Sequence, residues 1–453
     1  MIAMPTLSEG LGQFVADLTP SKIPLAVFNT ARAGIVDCMG VMFAGRDELV
    51  VSIASSLISV VPSQKPCQVL GGRGQAGDID AAFINSVASH ALDFDDTGLD
   101  GHPSVVLAPV VLALAQKYKL TWEKTLCAYV AGYEVWAELI FRDEDKHHGK
   151  GWHPSAVFGT LASAAATAHA RGLDARLTSH ALGIASSLAS GLVSNFGSMT
   201  KPFQVGWAVR SGMTSVELAI QGMTACTDAL ESQTGFLKAI SPQGRVNLSS
   251  VLGNGDQLYI SRFGLNIKRY PICYAAHRIT DAALSIRHHL VDQLQDIARI
   301  DIQMGILQAK MLRGHLATMP LDAKFSAEFA VACALIHGHV NLTDLVAQVV
   351  NDDRIQHLMR KVVITTDDRH DAEEPLFSPF DTLSIKLFNA TEISANPIRR
   401  AMGHSTNPMS DIEMKDKFFA CAGLALSTPQ VHDWWTCLHE INNELVVLPL
   451  QLQ

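Results

Sequence analysis

Between residues 90 and 104 the chain reads His90-Ala91-Leu92-Asp93-Phe94-Asp95-Asp96-Thr97 and then Asp100-Gly101-His102-Pro103-Ser104. Four carboxylates, two hydroxyls and two imidazoles thus fall within fifteen residues. Ionisable groups at this density, beside apolar helix-forming runs, are costly to bury unless they are hydrogen-bonded or put to use. Three later clusters have the same character: Gly151-Trp152-His153-Pro154, Met199-Thr200-Lys201-Pro202, and Lys268-Arg269-Tyr270-Pro271-Ile272-Cys273. Carboxylate, imidazole, ammonium and thiol groups together suit proton transfer at a carbon next to a carboxylate, where cations stabilise the enolate-like charge that develops.

Each candidate has a plainer reading beside the chemical one. Asp93, Asp95, Asp96 and Thr97 would serve as the capping turn of a helix beginning near 104, although capping uses one such residue and four are present. Asp95-Asp96 with Asp100 also resembles the aspartate-rich Mg²⁺ motif of helical terpenoid synthases. The second motif those enzymes need is not found, because Asn351-Asp352-Asp353 lacks the downstream Ser and Glu, and no metal is expected. His147-His148 reads as a solvated pair. His153, fixed between Trp152 and Pro154 at the start of an Ala-rich helix, and His102 beside Pro103 read as groups that exchange protons near pH 7. Lys201 and Lys268 border apolar regions next to backbone-fixing prolines and suit fixed receptors for carboxylates. Tyr270 is a candidate substrate contact. Cys273 is either a buried core thiol or, in a cleft beside Lys268, an acid/base group.

The elements that must position these groups are mostly helices. Segments 22–44, 104–119, 121–141, 155–172, 176–194 and 204–223 place apolar residues at three- and four-residue intervals, with breakers such as Gly71-Gly72-Arg73-Gly74 and Gly149-Lys150-Gly151 between them. After Lys268 a helix near 275–294 leads into three strand-like runs at 298–304, 361–366 and 383–388. Helices at 414–426 and 431–445 follow. The expected architecture is mainly α: a large all-helical domain over 1–265, completed by 399–453, and a smaller α+β lid domain over 266–398, with a cleft between them.

At 453 residues, 48% apolar and 17% charged, the chain can bury a large core across two lobes. A net charge of −9 with no long Lys/Arg run disfavours nucleic acid as a partner. Residues 177–200 carry no formal charge but many Ser and Thr, which suits a buried helix and not a membrane span. Eight dispersed cysteines without a C-x-x-C pair, and an N-terminus without a basic, apolar leader, point to reduced thiols in a cytoplasmic protein. No G-x-G-x-x-G after a strand, Walker loop, H-E-x-x-H or G-x-S-x-G occurs, so the common nucleotide, zinc-protease and serine-hydrolase explanations fall away.

On His90–Thr97, Gly151–Ser155, Lys201-Pro202, Lys268–Ala283, Asp322–Ser326 and Gly403–Met409 the chain resembles the MmgE/PrpD family over nearly its whole length. The family includes 2-methylcitrate dehydratase, cis-aconitate decarboxylase and iminodisuccinate epimerase. The resemblance implies a helical domain with an α+β lid, a homodimer, an active site between the two domains, and no metal or organic cofactor. In decarboxylating members the pocket residues correspond to Asp93, Thr97, His102, His153, Lys201 and Lys268. There are two departures. Cys273 stands where some members have histidine, and Phe329 where a tyrosine is expected. The resemblance implies a lyase for a small di- or tricarboxylate, decarboxylating or dehydrating. Epimerisation of an amino- or imino-dicarboxylate, with a His153/Cys273 pair, and a non-catalytic binding protein are the alternatives.

Overall fold

The computed structural model describes residues 5–58, 66–72, 74–253, 255, 257–312, 314–439 and 444–449. The chain forms two compact units, Met1–Asn266 with Asp411–Gln453, and Ile267–Ser410. Helices dominate, as expected for a mainly α protein, and strands are few.

In the larger unit the helices are α1 (Leu7–Asp17), α2 (Leu25–Gly45), α3 (Leu49–Ser55), α4 (Asp78–His90), α5 (Pro103–Tyr118), α6 (Trp122–Ile140), α7 (Pro154–Ala170), α8 (Ala175–Leu188) and α9 (Thr200–Ile220). A short hairpin of β1 (Cys67–Gln68) and β2 (Gln75–Ala76) precedes α4. Five of the expected helices are found within a few residues of their expected ends. The expected 176–194 helix stops at Leu188, because Gly191 takes φ +133°, a backbone open to glycine and not to the other residues. Helices α1 and α3 were not among those expected. Of the expected 431–445 helix, Thr428–His439 is helical, residues 440–443 lie outside the described residues, and Leu445 pairs with Thr121. Arg73 of the glycine breaker also lies outside them.

Helix α7 is the axis of this unit, buried on every side from Pro154 to Ala168. Its Ala, Gly, Ser and Thr residues let neighbours approach closely. A side chain on Gly212 of α9 would place Cβ 2.3 Å from the Thr160 carbonyl oxygen of α7, and one on Gly132 of α6 would lie 2.8 Å from that of Ala162. Backbone cannot yield to such contacts, so these glycines fix how α6 and α9 seat on α7. Helix α2 is long and apolar enough to cross a membrane, and most of its apolar window is packed inside the protein.

Two helices of this unit start in the same way. His102 is the N-cap of α5 with Pro103 at its first position, and His153 is the N-cap of α7 with Pro154. A residue before proline is driven to extended backbone, and proline at the first helical position costs no hydrogen bond, so a His-Pro pair places its imidazole at a helix N-terminus.

The loop between α4 and α5 rests on buried polar contacts. Lys417, on the returning helix Asp411–Ala422, lies 2.5 Å from Asp37 of α2, donates to the Phe94 carbonyl oxygen at 3.0 Å and sits 4.0 Å above the Phe94 ring. Asp96 accepts from the Ser104 N–H (3.2 Å) and hydroxyl (2.7 Å), and that hydroxyl also meets the Tyr129 hydroxyl at 2.7 Å. Burial, with the charges of Asp37 and Asp95, overrides the Ser104 contacts and pushes the Asp96 carboxyl up to about 8.

The smaller unit is built on a sheet of order β4-β3-β5-β6. Strands β3 (Ile297–Gly305) and β4 (Val362–Asp367) are parallel, β5 (Thr382–Leu387) is antiparallel to β3, and β6 (Glu392–Ser394) is antiparallel to β5. Ile300, Ile302, Leu383, Ile385 and Leu387 are buried in one apolar cluster with the helices His277–Ile286 and Ala327–His337. The helix expected over 275–294 ends at Ile286 and gives way to 3₁₀ turns.

Two substitutions test the polar support of the loop. Asp96→Asn keeps the hydrogen-bonding shape of the protonated acid. An unfolded aspartate titrates near 3.8, so between there and about 8 the unfolded chain has lost a proton that the folded one keeps. The parent therefore loses stability as pH rises through that window, by up to about 1.4 kcal/mol per pH unit. In urea melts the advantage of the variant should grow from about pH 5 to about pH 8, and a pH-independent difference would mean that Asp96 is ionised in the fold. Lys417→Met leaves Asp37 without its ammonium and should cost about 3 to 5 kcal/mol in the same melts.

Candidate active site

Three helix N-termini of the larger unit meet at one place. The His102 ring at the start of α5 lies 4.5 Å, centroid to centroid, from that of His90 at the end of α4. The His90 ring stacks 6.2 Å from that of His153 at the start of α7. Lys201, in the first turn of α9, donates to Asp93 Oδ1 at 3.0 Å and lies 5.0 Å above the Phe196 ring, whose edge meets His153 at 4.8 Å. Each N-terminus favours negative charge and disfavours a cationic imidazole, by about 0.3 to 1 kcal/mol, rising to about 2 where buried.

His153 is almost fully buried, and its tautomer follows from Gln204 on α9. The Gln204 Oε1 accepts from the Leu192 N–H at 3.0 Å, so its Nε2 is the atom that faces His153 Nδ1, at 2.6 Å. The amide donates there, Nδ1 accepts, and the imidazole proton sits on Nε2. Among the described residues that Nε2 has no partner. Residues 151–153 are held in place by pairing with 191–193, through His153 N–H to Gly191 O (3.0 Å) and Val193 N–H to Gly151 O (2.9 Å). Burial first, then the charges of His90 and Lys201, keep His153 well below the usual imidazole range. It is a neutral hydrogen-bond donor at pH 7.

Asp95 is the fixed anion of the site. His90 Nδ1 lies 3.0 Å from its Oδ1 and His102 Nδ1 lies 2.7 Å from its Oδ2, while His102 Nδ1 also lies 2.8 Å from the Asp96 carbonyl oxygen. Burial would raise the Asp95 carboxyl, but the two imidazoles outweigh it and hold the group well below the carboxylate range. Burial, outweighing Asp95, pulls His90 down to about 4, so His90 is neutral with its proton on Nδ1 and a buried Nε2 unpartnered among the described residues. His102 differs. Its Nε2 points toward Asp93, 3.8 Å from Oδ1, and its main-chain N–H is fixed by Ser155 Oγ at 3.1 Å. His102 thus lies between two carboxylates. One donor atom each from His90, Asp93, Asp95 and His102 also falls within 4.8 Å of the others, a set able to accept a first-row divalent ion, for which Lys201 competes at Asp93.

Of the sequence-derived candidates, Asp93, His102, His153 and Lys201 are brought together. Thr97 flanks them and its backbone pairs with Asn266, N–H to O at 2.8 and 2.9 Å. Lys268, Tyr270 and Cys273 belong to the smaller unit. Lys268 is buried there, the Tyr270 hydroxyl donates to Asp281 at 2.6 Å, and the half-buried Cys273 donates its main-chain N–H to the Lys324 carbonyl oxygen at 2.7 Å. Phe329 is fully buried in the first turn of Ala327–His337. His147, expected to be solvated, is buried against Phe158, with Nε2 3.7 Å from Asp143. Asp352 caps the helix Asp353–Met359 through the Arg354 N–H at 2.8 Å. His90 and Gln204 were missed as site residues. His90 carried a signal, since it lies five residues before Asp95; Gln204 looked like an ordinary helical glutamine.

The chain is similar over most of its length to several cis-aconitate decarboxylases. Cis-aconitate decarboxylase of Mus musculus is 27% identical over 97% of this chain and 91% of its own length. The Homo sapiens protein of the same name is 27% identical over 94% of this chain and 89% of its own length. Cis-aconitate decarboxylase of Aspergillus terreus is 26% identical over 80% of this chain and 78% of its own length. The MmgE/PrpD N-terminal domain matches residues 9–249 and the MmgE/PrpD C-terminal domain residues 270–437. With both domains matched in order along most of its length, the chain belongs to the MmgE/PrpD family.

Proposed function

We propose that the chain is a lyase that decarboxylates a small unsaturated tricarboxylate of the cis-aconitate type. The observation that carries this reading is the buried Nε2–H of His153, without a partner among the described residues, set beside the Lys201 ammonium and the Asp95-held His102. That combination offers two donors for carboxylate oxygens and one separate group that can deliver a proton. The names of the similar proteins support the same substrate class.

The substrate brings its own electron sink. When the carboxylate on the CH₂ carbon leaves as CO₂, the released C–C pair forms a new double bond to the central carbon. The former π pair moves to the terminal CH carbon, beside a second carboxylate that spreads the charge, and a proton is taken up there. A trianion and one proton thus become a methylidene-succinate dianion and CO₂. Lys201 and His153 Nε2–H would hold the carboxylates that carry the growing charge, and His102, once protonated, would supply the proton at carbon. Asp93 would steady Lys201 and His102. These roles draw on the larger unit alone and assign nothing to Lys268, Tyr270 or Cys273.

Incubating the purified protein with cis-aconitate should release CO₂ and yield methylidene-succinate by NMR. Silence with cis-aconitate together with loss of water from 2-methylcitrate or citrate would overturn decarboxylation in favour of dehydration. His102→Gln should lower kcat about a hundredfold or more with little change in KM. Lys201→Met should weaken kcat/KM by about 2 kcal/mol, roughly thirtyfold, mostly through KM. His153→Phe keeps a buried ring at this position but removes the Nε2–H donor, while Gln204 keeps both of its contacts to Leu192. Activity should fall by about a hundredfold while the melting temperature stays near that of the parent. Full activity in that variant would remove His153 from the donor role.

A further inference from the structure

The helix Ala327–His337 of the smaller unit carries Cys333 and His337 one turn apart, so thiol and imidazole share a face. Gly338, at φ +78°, ends the helix in the left-handed conformation and turns the chain back through His339 to the 3₁₀ turn Leu342–Asp344. There the Asp344 carboxylate meets both imidazoles, Oδ1 at 2.9 Å from His337 Nδ1 and Oδ2 at 2.9 Å from His339 Nδ1, and accepts the Asn341 N–H at 2.7 Å. Cys333 Sγ lies 3.8 Å from His337 Nδ1 and 3.4 Å from the His339 carbonyl oxygen. The donor atoms of Cys333, His337 and Asp344 all lie within 4.8 Å of one another.

We infer that Cys333, His337 and Asp344, with His339 alongside, form a zinc-binding site. Zn–S near 2.3 Å and Zn–N near 2.0 Å give a tetrahedral S···N edge of about 3.5 Å, close to the spacing already present. One soft sulfur, imidazole nitrogen and a carboxylate oxygen suit Zn²⁺ and Co²⁺, and exclude Mg²⁺ and Ca²⁺, which take oxygen alone. Cys333 and Asp344 are buried, whereas the His337 side chain is 23% exposed and that of His339 49%, which gives the ion a way in. Binding replaces the thiol proton by the metal and moves the His337 proton from Nδ1 to Nε2, so one proton is released and affinity rises with pH. The ion would fasten the end of the helix to the loop that follows, a structural task distinct from the chemistry at His153.

The test uses the full chain, stripped with a chelator and titrated with Co²⁺. One equivalent should produce thiolate-to-cobalt charge-transfer absorption in the near ultraviolet, which one equivalent of Zn²⁺ then abolishes. The band should be lost in Cys333→Ser and in His337→Gln; the second change is at a part-exposed position, so it remains informative if the first does not fold. Co²⁺ held by His90, Asp93, Asp95 and His102 would give no such band, because that cluster contains no sulfur. Absence of the band from the parent, or its persistence in a folded His337→Gln variant, would show that these residues form a hydrogen-bonded turn and not a metal site.

Discussion

A carboxylate without exposed surface, shared by two imidazoles, is the constraint from which the larger unit's imidazole cluster follows. Leaving a buried carboxylate without one of its hydrogen-bond donors costs about 1 to 3 kcal/mol or more, so Asp95 needs both His90 and His102. His90 must therefore close α4 and His102 must open α5, with the intervening loop spanning the gap in whatever backbone that demands. The demand is visible. Asp93, Leu99 and Asp100 all lie at φ between +50° and +55°, three of the six non-glycine residues at positive φ among those described. At about 1 to 3 kcal/mol each, that strain is comparable with what the Asp95 pairing and the Lys417 contacts can hold in place.

The same low-dielectric setting sorts the titratable groups into charged and neutral. Burial alone would neutralise Asp95, yet two imidazole contacts keep it ionised. Asp96, one residue away and facing hydroxyls and two other carboxylates, stays protonated at neutral pH. His153 receives an amide N–H where a carboxylate would have made it basic, and remains neutral. The neighbouring His90 and His153 rings are thus both uncharged, while His102 sits between Asp95 and Asp93.

Most of this was legible where the sequence signal is local. Helical periodicity gave α2, α5, α6, α7 and α9, and His153, between Trp152 and Pro154, was legible at a helix start, whereas the N-cap of α5 was expected among Asp93–Thr97 and is His102. The strand runs were found by alternation and β-branched composition. Signals that depend on tertiary partners were not legible. Gln204 gains meaning only from Leu192 on one side and His153 on the other, and the neutrality of His153 and Asp96 arises from burial that no spacing encodes. The end of α8 was misjudged because Gly191 looks like a tolerable helical glycine until its backbone angle is known.

Strain and charge meet at Asp93. It is the most exposed member of the cluster, with 29% of its side chain accessible, and it is also the one held in left-handed backbone while neutralising Lys201. A carboxylate reaching the cluster would compete with Asp93 for that ammonium, and Asp93, once displaced, would lie near His102 Nε2, now 3.8 Å from it. With Asp93 and Asp95 as anions, Lys201 as the cation and His90 and His153 uncharged, the resting cluster carries one net negative charge, so an incoming anion is admitted only by taking the place of Asp93 at Lys201.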